Sequence, residues 1–130
     1  MLLDTSGLFC LLDRDEPEHN IAVSVYADAD RRLIHNYILA EFVSLAQTRG
    51  LPRSLALGFS EDVLIDHNVE VAWVDFQLHR QVLDLLQNRR DKSYSLCDAI
   101  SFLLMREHNI SVALTTDRHF AQEGFLRLLK

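Results

Sequence analysis

The sequence predicts an α/β fold in which a parallel sheet is covered by helices on both faces. Short apolar or β-rich runs alternate with longer segments whose apolar residues recur at helical spacing, from one end of the chain to the other. Strands separated by helices pair in parallel, because the crossover helix returns the chain to the same end of the sheet. Two of the short runs stop at polar residues, Asp4-Thr5-Ser6-Gly7 and Thr115-Thr116-Asp117. In open parallel sheets the carboxyl ends of strands are where ligands bind. With 130 residues and no repeat, low-complexity tract or linker, residues 1–130 are expected to form one domain.

Met1 to Leu3 is the first strand, and Leu8 to Leu12 the first helical turns. Pro17 opens a helical segment carrying Ile21, Val25 and Ala29, closed by Arg31-Arg32. Leu33-Ile34 is a brief strand. Tyr37, Ile38, Ala40-Glu41-Phe42, Leu45 and Ala46 keep a helical period up to Gly50, a natural C-cap. Pro52 starts a helix through Leu55, Phe59 and Val63 towards Asp66. Val69 to Val74 is β-rich and reads as a strand. Phe76 to Asn88 is amphipathic, with Leu78, Val82, Leu85 and Leu86 on one side. The polar stretch Arg89 to Ser93 leads into an apolar helix from Ser95. Ser111 to Leu114 is a strand, Arg118 to Gly124 a short helix, and Phe125 to Leu129 the last strand.

Composition excludes several classes. Hydrophobic residues make up 48% and charged residues 25%, ordinary for a soluble globular chain. No uninterrupted apolar run has the length of a membrane span, and M-L-L-D lacks the basic and apolar regions of a signal peptide. Cys10 and Cys97 both stand in apolar surroundings, which fits a reducing cytoplasm better than a disulfide framework. The net charge of −6 argues against a general nucleic-acid coat. Arg31-Arg32, Arg49 with Arg53, and Arg89-Arg90-x-Lys92 cluster, and read first as solvated helix ends complementing C-terminal dipoles.

Four acids stand out. Asp4 and Asp117 end strands; Glu41 and Asp98 interrupt apolar helices. Each has an ordinary explanation. Asp4 and Asp117 would cap the helices that follow, and Ser95-x-x-Asp98 fits a capping box. Glu41 would be one polar edge of a helix that is apolar nearly all round and expected to be buried. The alternative is that all four meet in the crevice at the strand ends. Converging carboxylates raise each other's pKa unless a cation neutralises them. Oxygen-only ligands, with no Cys/His set at zinc spacing, favour magnesium or manganese, which bind substrate phosphates as well. His19, His35, His67, His79 and His108 read as surface or helix-end residues.

In order along the chain, L-L-D-T-S-G-L (2–8), N-Y-I-L-A-E-F (36–42), S-L-C-D-A-I-S (95–101) and L-T-T-D-R-H-F (114–120) resemble the motifs of the PIN-domain ribonucleases. A lone D-T-S is weak, whereas four pieces in order over essentially the whole chain are specific. The resemblance implies a PIN-like three-layer sandwich with a parallel sheet of about five strands. It implies a magnesium-dependent endoribonuclease (manganese being possible) of the VapC-like kind, the toxin half of a toxin–antitoxin pair. Asp4, Glu41, Asp98 and Asp117 match the family's catalytic, metal-binding carboxylates. Thr5, Ser6 and Thr115 match its hydroxyls beside the site, and Asn36 a frequent polar neighbour. His119 stands where some members carry another acid. An RNA substrate, an antitoxin partner, a homodimer, and a cytoplasmic location away from membranes follow from the same resemblance.

Other readings fit less well. A receiver domain needs paired acids after its first strand and a late lysine, but Asp4 is followed by Thr5-Ser6 and the only lysines are Lys92 and Lys130. A haloacid-dehalogenase-type phosphatase wants D-x-D, and Ser6 occupies the second position. No phosphate-binding G-x-x-x-x-G-K-[ST] occurs. The rival from another class is a non-catalytic PIN scaffold that binds RNA or a protein partner, for which an intact set of four acids has no use.

Overall fold

The computed structural model describes residues 1–130. In chain order the elements are β1 (Leu2–Leu3), α1 (Thr5–Leu12), α2 (His19–Asp28), β2 (Leu33–His35), α3 (Asn36–Ala46), α4 (Arg53–Ile65), β3 (Glu70–Ala72), α5 (Phe76–Asn88), α6 (Leu96–Glu107), β4 (Val112–Leu114), α7 (Arg118–Gln122) and β5 (Leu126–Arg127). The sheet has five strands in the order β3-β2-β1-β4-β5, and every pairing is parallel. The predicted fold class is the observed one.

The order of strands places the site. From β1 the chain moves outward through β2 to β3, then crosses back to lay β4 on the other side of β1, with Leu2 opposite Ala113 and Leu3 opposite Leu114. The switch point therefore lies between β1 and β4, whose carboxyl ends run into Asp4 and Thr115. Leu2, Leu3, Leu33, Ile34, Ala113 and Leu114 have no exposed surface, as expected of strands covered on both faces.

Helix α1 begins at Thr5, earlier than the apolar run from Leu8 suggested. Gly7 makes this possible: a Cβ there would lie 1.9 Å from the Leu114 carbonyl oxygen, so only glycine lets the helix press onto β4. Helix α3 ends in a turn whose Gly50 has φ 78°, and the Leu51 N–H donates back to the Ala46 carbonyl (2.8 Å), closing the helix as its sequence predicted. The strand expected over Val69 to Val74 contracts to Glu70–Ala72, at the edge of the sheet, and Trp73 beyond it is 64% exposed. An edge strand has one unpaired side, so β-propensity overstates its length.

Helix α6 is the most deeply packed, burying Cys97, Ala99, Ile100, Ser101, Phe102, Leu104 and Met105. Phe102 meets Tyr94, Phe120 and Phe125 at ring-centroid distances of 5.0, 4.9 and 5.8 Å. The Arg31-Arg32 pair has structural partners. Arg32 donates to the Tyr26 carbonyl at the end of α2 (2.6 Å), and Arg31 to the His108 carbonyl at the end of α6 (3.0 Å). These are helix-end roles, as their sequence context indicated.

Candidate active site

Asp4, Thr5, Ser6, Phe9, Glu41, Leu45, Arg49, Asp98 and Asp117 line one cleft of about 160 Å³ at the switch point. All four acids singled out in the sequence thus face the same space. Each arrives from a different element: Asp4 from the end of β1, Glu41 from the middle of α3, Asp98 from the first turn of α6 and Asp117 from the start of α7.

Asp4 is the innermost, with 5% of its surface exposed. It stands at the N-cap position of α1 without capping it. Instead its Oδ2 accepts from the Thr115 hydroxyl (2.7 Å) and the Ser6 hydroxyl (3.0 Å). Those hydroxyls are themselves oriented, because the Asp117 N–H donates to Thr115 Oγ1 and the Thr116 N–H to Ser6 Oγ, each at 3.0 Å. Burial raises the Asp4 carboxyl to about 6, with the Thr115 hydrogen bond opposing and the charge of Asp98 adding to the rise.

Asp98 and Asp117 each cap a helix and also line the cleft. The Ser95–Asp98 capping box is complete, with the Asp98 N–H donating to Ser95 Oγ (3.0 Å) and the Ser95 N–H to Asp98 Oδ2 (3.3 Å). Asp117 Oδ1 accepts from the His119 N–H (2.9 Å) at the start of α7. Both carboxylates nevertheless face the cleft, so cap and site are the same groups. Burial raises the Asp98 carboxyl, the charge of Asp117 raises it further, and the bonds to Ser95 pull against both.

Glu41 differs from expectation. Helix α3 is covered on one side only; Ala40, Ser44 and Leu45 are exposed, and Glu41 sits at the half-buried margin above the cleft. The run of apolar residues around Glu41 predicts a helix buried nearly all round, but Ala40 and Leu45 of that run lie at the surface, so apolar composition overstates the burial. Asn36 does not line the cleft: its Oδ1 accepts from the Val74 N–H (2.7 Å), tying the start of α3 to the end of β3.

Two histidines carry more than their sequence context suggested. His35 is at a helix end, as N-cap of α3, but it is wholly buried rather than at the surface. Its Nδ1 accepts from the Ile38 N–H (3.3 Å), which leaves Nε2 to donate to Ser101 Oγ (2.9 Å); Ser101 in turn donates to the Cys97 carbonyl (3.1 Å). This chain joins the helix bearing Glu41 to the helix bearing Asp98. Burial lowers the His35 imidazole to about 3, so it is neutral. His119 brings a nitrogen to a site expected to hold oxygen alone. Its Nδ1 lies 3.2 Å from Asp117 Oδ1 and 3.5 Å from Asp98 Oδ2, and one ligand atom from each of the three residues falls within 4.8 Å of the others.

A profile of the PIN domain matches residues 1–126. The chain belongs to the PIN-domain family. Among solved structures, this PIN domain resembles VapC20 of Mycobacterium tuberculosis, described as a sarcin-ricin loop cleaving toxin. The two share 25% of residues over 99% of this chain and 98% of that one, with a TM-score of 0.87. No curated protein matches significantly in sequence.

PIN nucleases use divalent metal ions, and the residues of this PIN domain fit one. Four carboxylates share a small cleft in which Arg49 is the one basic side chain, and Arg49 is paired with Glu16 (3.1 Å) and stacked over Phe9. Two buried polar atoms, Thr5 Oγ1 in the cleft and His119 Nδ1 beside Asp98 and Asp117, make no aligned hydrogen bond within the protein. Unneutralised acids beside unsatisfied donor atoms are what a cation would complete.

Proposed function

We propose that this chain is one PIN domain acting as a metal-dependent endoribonuclease, the toxin of a VapC-like toxin–antitoxin pair. The observation that carries this is the convergence of Asp4, Glu41, Asp98 and Asp117 in one cleft at the switch point of a PIN fold. The four carboxylates would hold magnesium, or manganese in its place. When bound, the ion supplies charge neutralisation and Lewis acidity for in-line attack of water on an RNA phosphodiester. The products carry 5′-phosphate and 3′-hydroxyl ends.

The chain's own groups explain how the site stays assembled. Thr115 and Ser6 fix Asp4 through hydroxyl protons, and backbone N–H groups fix those hydroxyls in turn. The capping roles of Asp98 and Asp117 hold their carboxylates in single orientations, so little reorganisation is needed on binding. His35 keeps α3 and α6 in register across the cleft.

The likeness to VapC20 makes a sarcin-ricin-type RNA loop the first substrate to try. From the resemblance to small PIN-domain toxins we assign the protein an antitoxin that covers the acidic cleft, a homodimeric state and a cytoplasmic location; no helix is long and apolar enough to cross a membrane. The test is cleavage of such a loop by purified protein. Cleavage with magnesium or manganese, abolished by chelator and by Asp4→Asn or Asp117→Asn, supports the reading. RNA binding without cleavage under any divalent ion overturns it in favour of a non-catalytic scaffold.

A further inference from the structure

His119 is the residue at this site whose chemistry differs most from its neighbours. It is the second residue of α7, and its backbone N–H is fixed by Asp117. Its ring also meets the Tyr94 ring edge-on at 5.2 Å. Tyr94 is itself immobilised, its hydroxyl donating to Glu123 (2.8 Å), a carboxylate that Arg89 and Arg106 also hold at 2.7 and 2.6 Å. The imidazole is thus packed against a rigid wall and directs a buried Nδ1 at the two carboxylates.

Nδ1 is 3.2 and 3.5 Å from their oxygens yet makes no aligned hydrogen bond to either. Neighbouring ligand atoms on an octahedral ion with bonds of about 2.1 Å lie about 3 Å apart, close to this spacing. Nε2 has Ser93 Oγ at 3.5 Å as its nearest polar partner. Metal-bound histidines commonly use the second nitrogen in this way, which leaves the first with its lone pair inward. Thr5, 5% exposed and with its hydroxyl unpartnered, lines the same cleft and marks it as incomplete without a ligand.

We propose that His119 Nδ1 is a nitrogen ligand to the cation held by Asp98 and Asp117, and that it biases this site towards manganese and neighbouring transition ions over magnesium. Imidazole suits iron, nickel, copper and zinc; manganese, the weakest of the first-row series, shares magnesium's preference for carboxylate and water but accepts a nitrogen ligand more readily than magnesium does. The inference rests on the metal-dependent reading above. A rival role for His119 is that of a cationic counter-ion to the two acids, displaced when metal enters. The two roles predict opposite effects of removing it.

The experiment uses the full chain without RNA, titrated calorimetrically with manganese and with magnesium. The electron spin-echo spectrum of bound manganese is recorded for ¹⁴N modulation. The wild type is expected to prefer manganese and to show nitrogen modulation. His119→Gln should lose the modulation and on the order of tenfold or more in manganese affinity, with a smaller change for magnesium. His119→Asp should shift preference towards magnesium, so a variant that fails to fold leaves the other to decide. Modulation that persists in both variants, an unchanged ratio of the two affinities, or tighter binding of both ions in His119→Gln overturns the proposal. Asp98→Asn separates the two levels. If it binds both ions as the wild type does, the metal-site reading itself falls. If it loses metal while His119→Gln keeps the wild-type ratio, only the role of His119 falls.

Discussion

In the absence of metal, Asp4→Asn should make the protein more stable at neutral pH, by an amount that depends on pH in a defined way. Burial raises the Asp4 carboxyl to about 6 in the folded chain, with Thr115 opposing and Asp98 reinforcing. In the unfolded chain it titrates near 3.9, so the shift of roughly two units corresponds to about 3 kcal/mol. Between those two pH values the folded state keeps a proton that the unfolded state has released. Stability therefore falls as pH rises through that window and stays lower by the full amount above it. Asparagine has no such proton, and its carbonyl can accept from the Thr115 and Ser6 hydroxyls. The variant's advantage over wild type should grow from a baseline near pH 3.5 to about 3 kcal/mol above it at pH 8. For a domain of this size that is a melting shift on the order of 10 °C. Urea denaturation of both proteins in chelator, at several pH values, measures it. A constant offset from altered hydrogen bonds does not matter; a difference that stays flat with pH refutes the reasoning.

Asp98→Asn should cost little in chelator but should forfeit most of the stabilisation that wild type gains from magnesium, about 2.7 kcal/mol at a hundredfold excess over the dissociation constant; equal metal-induced melting shifts in the two proteins would count against it as a ligand. Gly7→Ala should destabilise by roughly 3 kcal/mol or more, since its methyl would meet the Leu114 carbonyl at 1.9 Å, and denaturant unfolding within 0.5 kcal/mol of wild type (roughly the scatter of a surface change) would contradict that close approach. Burial lowers the His35 imidazole to about 3, so the unfolded chain takes up a proton below about 6.5 that the folded chain refuses, and stability is lost as pH falls through that range. His35→Asn, which can still accept from the Ile38 N–H, should flatten this acid-side loss, as urea midpoints between pH 7 and 4 will show.

The strand–helix alternation and the four acids were readable because each leaves a local trace: a period, a polar stop after an apolar run, a charge within a greasy helix. The strand order was not, since nothing local to Val112–Leu114 says that it lies beside Leu2–Leu3. Apolar spacing starts helix α1 only at Leu8, whereas its true start depends on Gly7 meeting a carbonyl far along the chain. For Asp98 and Asp117 capping and the cleft are not alternatives, since each caps its helix and lines the cleft. Asp4, the one acid at a cap position that does not cap, could be recognised only from its bonds to Thr115 and Ser6. His35 gave no sequence signal of its own, and His119 only that of standing where some PIN domains carry an acid. One is hidden by its burial beneath α6, the other by a residue spacing that becomes an angle between three side chains only in the folded chain.

The bond between Thr115 and Asp4 joins positions 111 residues apart, and the parallel ladder between β1 and β4 spans a similar interval. Nearly the whole polypeptide must therefore exist before the cleft does. A chain interrupted between Asp98 and Val112 carries Asp4, Glu41 and Asp98 but neither the hydroxyl that fixes the first of them nor the strand that brings the fourth acid to it. Pairings of such long range also form slowly, because loop closure precedes any reward from contact. During its own synthesis the protein therefore has no assembled cleft, and a truncated product cannot bring the four acids together.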